Sequence, residues 1–137
     1  FTNYNSKKSS QIRANNNVAL LFYWPEKGRQ VRIEGTMVKV SPEISDEYFK
    51  TRSRDSQLSA WASDQSSEVP GRDYLEERFN FFNRKFAGSY VPRPAHWGGY
   101  KVIPDLFEFW VNRENRLHDR IEYLKEGDKW SIRRLAP

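Results

Sequence analysis

The sequence predicts an α+β fold, mainly β: an antiparallel barrel or sheet with helices appended. Three observations carry this. Strand-like runs stand at both ends of the chain, helical stretches are inserted between them, and regular strand–helix–strand alternation is missing. A doubly wound dinucleotide fold is disfavoured as well by the lack of any G-x-G-x-x-G or Walker sequence. At 137 residues the chain fits one domain, 1–137, with room for a single core.

The elements follow in order. Phe1 to Tyr4 reads as the end of a strand, and Ser6 as the N-cap of a short helix over Lys7 to Asn15, because its hydroxyl can accept from a free amide of the first turn. Val18 to Trp24 is a near-continuous β-prone run, as expected of a strand covered on both faces. Pro25 to Gly28 is turn chemistry, and from Arg29 a second strand alternates until Gly35, where the apolar phase slips to Val38 and Val40 and predicts a bulge or bend. Ser45 to Lys50 and Asp55 to Ser63 read as short helices. Leu75, Phe79, Phe82 and Phe86 recur at helical spacing and predict an amphipathic helix that Gly88 stops. An extended Pro92-Arg93-Pro94 segment leads to closing strands at Tyr100 to Val111, Ile121 to Leu124 and Trp130 to Arg134.

Composition limits the chemistry. Without cysteine there is no disulfide, thiolate nucleophile or cysteine-bound metal, and two distant histidines make no metal constellation. No apolar run reaches the length of a membrane span, and the mean hydropathy is −0.89. A net charge of +5 favours anionic partners. The aromatic residues are scattered instead of interleaved with Lys and Arg, which argues against a nucleic-acid surface and for a core role.

Five segments concentrate groups suited to a phosphorylated ring compound. Phe1-Thr2-Asn3 with Ser6-Lys7-Lys8 joins a helix start to two ammonium groups, although a solvated basic helix end accounts for the same residues. Gln30 could bond a heterocycle edge as donor and acceptor together, or be an ordinary strand residue. Tyr48, Arg52 and Ser56 recur every four residues, so one helix would carry a phenol, a guanidinium and a hydroxyl on one face; an exposed ion-pairing face fits equally. Ala62 to Ser67 is a polar loop able to hold phosphate oxygens, or simply a loop. Glu108-Phe109-Trp110 with Arg116-Leu117-His118-Asp119-Arg120 would, by strand alternation, place three potential cations on one face, an arrangement that favours a bound anion. No catalytic triad or carboxylate pair stands out, so a cofactor is expected to do the hard chemistry.

The stretches FTNYNSKK, ALLFYW, RQVRIEG, YFKTRSRDSQLSAWASDQSS, VPRP with WGGY, EFW, RLHDR and the terminal RLAP resemble, in order and spacing, the pyridoxine/pyridoxamine 5′-phosphate oxidases, from Phe1 to Pro137. The resemblance implies an FMN-binding split β-barrel that forms a cytoplasmic homodimer with a flavin site at each subunit interface. It implies oxidation of pyridoxine 5′-phosphate or pyridoxamine 5′-phosphate to pyridoxal 5′-phosphate, by hydride transfer to the flavin, with O2 as acceptor and H2O2 as by-product. By position, Phe1, Thr2, Lys7, Lys8, Gln30, Gln65, Ser66, Trp110 and Arg120 match FMN-contacting residues of the family. Tyr48, Arg52 and Ser56 match binders of the substrate phosphate, and Arg116, Leu117 and His118 flank the substrate ring, with Arg116 and His118 as its orienting, charge-stabilising groups.

The sequence departs from the family pattern at Lys7, where Arg is usual, at Ser53, where Pro is usual, at Leu58-Ser59 in place of Ile-Gly, and at Val111-Asn112 in place of Gln-Gly. The family's upstream third, with its first barrel strands, has no counterpart here. The expectation is therefore an incomplete barrel, poorly stable or inactive alone, within a complete protein that is an oxidase. A flavin or pyridoxal-phosphate carrier without turnover, and a related flavin oxidase acting on another ring compound, are the alternatives.

Overall fold

The computed structural model describes residues 1–137. Its elements are β1 (Thr2–Asn3), α1 (Lys7–Ala14), β2 (Asn17–Trp24), β3 (Arg29–Lys39), α2 (Pro42–Lys50), α3 (Arg54–Ala62), α4 (Arg72–Lys85), β4 (Trp97–Gly98), β5 (Tyr100–Val111), β6 (Asp119–Glu126) and β7 (Lys129–Arg134). The fold is α+β with antiparallel sheets, and the chain divides into two compact units. Three helices begin in the same way: Ser6, Ser41 and Ser53 hold extended backbone, and each hydroxyl accepts from the amide three residues on. No helix is long and apolar enough to cross a membrane.

The first unit comprises residues 1–15 and 39–101. Here β1 pairs with β4, Thr2 opposite Gly98 and Asn3 opposite Trp97. Phe49, Leu58, Ala60, Val91 and Trp97 form its core, flanked by Trp61, Phe79, Phe82 and Phe86. Full burial of each large apolar side chain is worth roughly 1.5–3 kcal/mol. The helical stripe read from the sequence is thus the packed face of α4, with Leu75 at its exposed end. Trp61 meets Phe82 and Phe86 at 5.6 and 5.5 Å between centroids. Arg93 ties the core's edge together, donating to Asp46 at 2.7 Å and to the Trp97 carbonyl at 2.6 Å.

The second unit comprises residues 16–38 and 102–137. Its five-stranded sheet has the order β2-β3-β5-β6-β7, which leaves β2 and β7 as edges. Gly28 closes the β2–β3 turn and Gly127 the β6–β7 turn, each at positive φ (+53° and +62°) where a side chain would be strained.

Two expectations are corrected here. The β2–β3 ladder runs without interruption from Asn17 opposite Thr36 to Trp24 opposite Arg29, so no bulge lies in this pairing at Gly35. What requires glycine there is close approach: a Cβ at Gly35 would overlap the Ile103 carbonyl and stand 2.8 Å from the Pro104 Cα. Second, β2 is not covered on both faces within the chain. Leu21, Phe22, Tyr23 and Trp24, on an edge strand, are 43–61% exposed. An apolar run marks a strand, but not what covers it.

The Gly35 contact yields a test. Because the opposing atoms are backbone and cannot rotate away, Gly35→Ala should cost at least about 2 kcal/mol, toward the upper end for overpacking, read as a lowered urea midpoint.

Candidate functional site

In the first unit α2 ends at Lys50, Thr51 caps it and Ser53 starts α3. Tyr48, Arg52 and Ser56 therefore do not share one helix face, as their four-residue spacing suggested. Tyr48 lies in α2, Arg52 in the link and Ser56 in the first turn of α3, its hydroxyl accepting from Ser53 Oγ at 2.9 Å. The cause is the Ser53 cap, which restarts the helix instead of continuing it.

Arg52 is half-buried and stands alone electrostatically. Its guanidinium lies 4.8 Å from the Trp97 ring centroid and 5.9 Å from that of Phe49. Its Nη1 is buried and bonds to nothing. Burial pulls its pKa down from the ordinary guanidinium value, although guanidinium stays charged at any working pH. Arg52 and Trp97 line a pocket of 150 Å³ with Asn3, Ser59, Ser63 and Gln65. Gln65 Oε1 accepts from Thr2 Oγ1 and from the Asn3 amide, both at 3.0 Å. This leaves the Gln65 amide nitrogen available as a donor. Ser66 follows it at φ +72°. Phe1 stacks on Tyr48 at 3.8 Å and 7°. Lys7 and Lys8 occupy the exposed first turn of α1, which carries no acidic residue.

In the second unit Gln30 and Trp110 line one pocket of 390 Å³ with Trp24, Lys27, Arg29 and Phe109. The Trp110 and His118 rings are 4.7 Å apart. His118 Nδ1 lies 3.2 Å from the Arg113 amide. An acceptor at Nδ1 assigns the proton of the neutral ring to Nε2, which makes Nε2 a donor for a ligand.

The expectation that Arg116, His118 and Arg120 share a strand face is overturned. Glu114–Arg116 forms a 3₁₀ turn, Asn115 and Arg116 have positive φ, and β6 starts only at Asp119. Arg116 and Leu117 are exposed, and Arg116 has no acceptor. Nor do three free cations face one another. Arg120 clasps Glu108 through Nε at 2.8 Å and Nη2 at 3.1 Å, and donates to the Ala136 carbonyl at 2.9 Å. Glu108 is 5% exposed and also accepts from Arg32 at 2.9 Å. The bond from Arg120, helped by Arg32, holds the Glu108 carboxyl below its usual pKa against the opposing effect of burial.

The sequence reading placed Asn3 in a candidate segment without a role of its own and had no site role for Trp97 or Arg32. A signal for Trp97 was present in the Gly98-Gly99 pair after it. A Cβ at Gly98 would meet the Tyr4 hydroxyl and one at Gly99 the Phe1 ring and Val40, so both glycines mark close approach around Trp97. Arg32 gave no local signal, since its partner Glu108 lies 76 residues away.

Residues 1–80 match the family model described as pyridoxamine 5′-phosphate oxidase, and residues 97–137 the pyridoxine 5′-phosphate oxidase C-terminal dimerisation region. Among curated relatives, the pyridoxine/pyridoxamine 5′-phosphate oxidase of Rubrobacter xylanophilus is 56% identical and that of Cytophaga hutchinsonii 54%, each over the whole chain. The chain spans 63% and 65% of their respective lengths. Among solved structures, PhzG from Burkholderia lata, in complex with tetrahydrophenazine-1-carboxylic acid, superposes with a TM-score of 0.90 at 30% identity, covering 99% of this chain and 66% of that one. A pyridoxamine 5′-phosphate oxidase-related, FMN binding protein from Nostoc punctiforme shares the fold at a TM-score of 0.68 and 15% identity, covering 99% of this chain and 71% of its own.

The Glu108 clasp sets an acid response. Its folded pKa is depressed, so its contribution is complete above the unfolded carboxyl range and is lost as pH falls through the folded value. Glu108→Gln should cost about 2–4 kcal/mol at neutral pH. It should also flatten the dependence of the denaturation midpoint on pH below about 4.5.

Proposed function

The chain belongs to the pyridoxine/pyridoxamine 5′-phosphate oxidase family, and from that premise we propose that the protein oxidises pyridoxine 5′-phosphate or pyridoxamine 5′-phosphate to pyridoxal 5′-phosphate, with FMN as cofactor and O2 as acceptor. The observation that carries the reading is Arg52. A half-buried guanidinium with a buried, acceptor-free nitrogen fits an anion that completes its hydrogen bonds, and a phosphate monoester presents several strong acceptor oxygens.

In this reading Arg52 grips the 5′-phosphate, and the hydroxyls of Tyr48 and Ser56 complete its shell. Arg116, Leu117 and His118 bracket the substrate ring. His118 donates from Nε2 and Arg116 brings a cation unclaimed by any carboxylate, so both orient the ring and stabilise charge that develops on it. A bound flavin would supply the hydride acceptor. Phe1, Thr2, Lys7, Lys8, Gln30, Gln65, Ser66, Trp110 and Arg120 are the residues that, by their match to the family's positions, would hold it. Gln65 suits this task, since its oxygen is occupied by Thr2 and Asn3 and its nitrogen is left to donate. Lys7 contributes charge to phosphate binding without the fork of an arginine. Homodimerisation and a cytoplasmic setting belong to the same proposal; the match of residues 97–137 to a dimerisation region supports the first.

A second reading, a flavin oxidase acting on another ring compound, is favoured by the likeness to PhzG at 30% identity. Arg52 separates the two. If the substrate carries a phosphate, Arg52→Ala should raise KM for pyridoxine 5′-phosphate about 10- to 100-fold, the worth of charged hydrogen bonds, and change kcat far less. The purified protein should show blue-region flavin absorbance and release peroxide and pyridoxal 5′-phosphate. A flavin-loaded protein that releases neither would count against the oxidase.

A further inference from the structure

We infer that Trp97 is a positioning residue for anion recognition: its indole face holds the Arg52 guanidinium in the pocket in place of the carboxylate that such a group ordinarily has. The inference rests on the proposed phosphate-binding role of Arg52.

The half-buried arginines of the chain supply the comparison. Arg32 and Arg120 bond to Glu108, Arg93 to Asp46, and Arg78 to the Ala62 carbonyl with Asp64 at 3.4 Å. Arg52 alone has no oxygen partner. Aromatic faces flank it instead, Trp97 at 4.8 Å and Phe49 at 5.9 Å. A carboxylate in their place would cancel the charge and occupy the N–H edges. The face of an aromatic ring attracts the cation through its quadrupole and leaves those edges unclaimed, with indole the strongest of the three rings. Trp97 thus keeps Arg52 desolvated, oriented and unneutralised.

Trp97 is itself rigidly held. It is 7% exposed and packs edge to face on Phe49 at 5.1 Å. Its carbonyl accepts from Arg93, its amide donates to the Pro94 carbonyl at 3.0 Å, and it pairs with Asn3 across β1 and β4. Phe1 stacks on it at 5.6 Å and on Tyr48 at 3.8 Å. One indole therefore adjoins both the guanidinium and, through Phe1, the phenol assigned to the same phosphate.

The test uses Trp97→Tyr, Trp97→Phe and Trp97→Leu in the purified protein, beside Arg52→Ala. For each, steady-state kinetics with pyridoxine 5′-phosphate, inhibition by inorganic phosphate, equilibrium binding of pyridoxal 5′-phosphate and the Tm are measured. Trp97→Leu should raise KM, the inhibition constant of inorganic phosphate and the Kd of pyridoxal 5′-phosphate together, by roughly three- to thirtyfold, with kcat within about twofold. Tyr and Phe should recover much of the loss. If Trp97→Leu does not fold, the Tyr and Phe variants decide, because each must weaken phosphate binding relative to Trp. The inference is overturned if the folded variants bind phosphate as the parent does, or if KM follows Tm instead of ring type. The outcomes separate from those for the underlying reading: unchanged KM and phosphate inhibition in Arg52→Ala would refute the phosphate role itself, whereas a defect there with none at Trp97 refutes only the positioning role.

Discussion

A guanidinium drawn out of water needs an acceptor, and the chain meets this demand at every half-buried arginine except Arg52. The cost of leaving a charged donor unsatisfied in a partly desolvated place is large beside the net stability of a domain. The pairs that satisfy it also organise the fold. Glu108 takes Arg120 and Arg32, and so ties β6 to β5 and β3 across the sheet. Arg120 then takes the Ala136 carbonyl, and Leu135 donates to the Arg120 carbonyl at 3.0 Å, which seats the terminal RLAP against the RLHDR segment. Two motifs that look unrelated in sequence are one piece of local structure. Set against these saturated clasps, the bare guanidinium of Arg52 reads as a place prepared for an anion.

Much of the fold was legible because its signals are local. The span of β5, the stripe of α4, the Ser6 cap and the turn at Gly28 each depend on a few neighbouring residues. What could not be read depends on contacts distant in sequence. The phase slip at Gly35 looked like a bulge, yet the glycine answers to the Ile103 carbonyl, a neighbour nearly seventy positions on. β4 is two residues long and exists only because β1 pairs with it, so no periodicity could reveal it.

The candidate site was legible by residue type and illegible by geometry. Spacing put Tyr48, Arg52 and Ser56 on one helix, but it carries no information about the Ser53 cap that ends the continuity. Alternation put Arg116, His118 and Arg120 on one strand face, although Asn115 and Arg116 take left-handed conformations and strand geometry begins only after His118. A run of like charges pointed to an anion, and half of that argument dissolves once Glu108 is seen to neutralise Arg120 from across the ladder. Arg116 keeps its force for the opposite reason: it is exposed, in a left-handed turn, and claimed by no carboxylate. A non-glycine residue in that conformation costs on the order of 1 kcal/mol or more. The ring-orienting role proposed for Arg116 would fall at this strained turn.

The exposed apolar residues complete the physical picture. Leu21 to Trp24 on β2 and Trp130 and Ile132 on β7 stand 40–62% accessible, although removing apolar surface from water is favourable by about 25 cal/mol per Å². Single exposed apolar residues call for no explanation, but a run of four on an edge strand does. Lys, Pro or a bulge would blunt such an edge in a protein that keeps it in water, and β2 carries none of them. A second subunit would resolve the conflict, and the match of residues 97–137 to a dimerisation region lends that solution independent weight. An apolar run of this kind states a demand for cover without naming what supplies it.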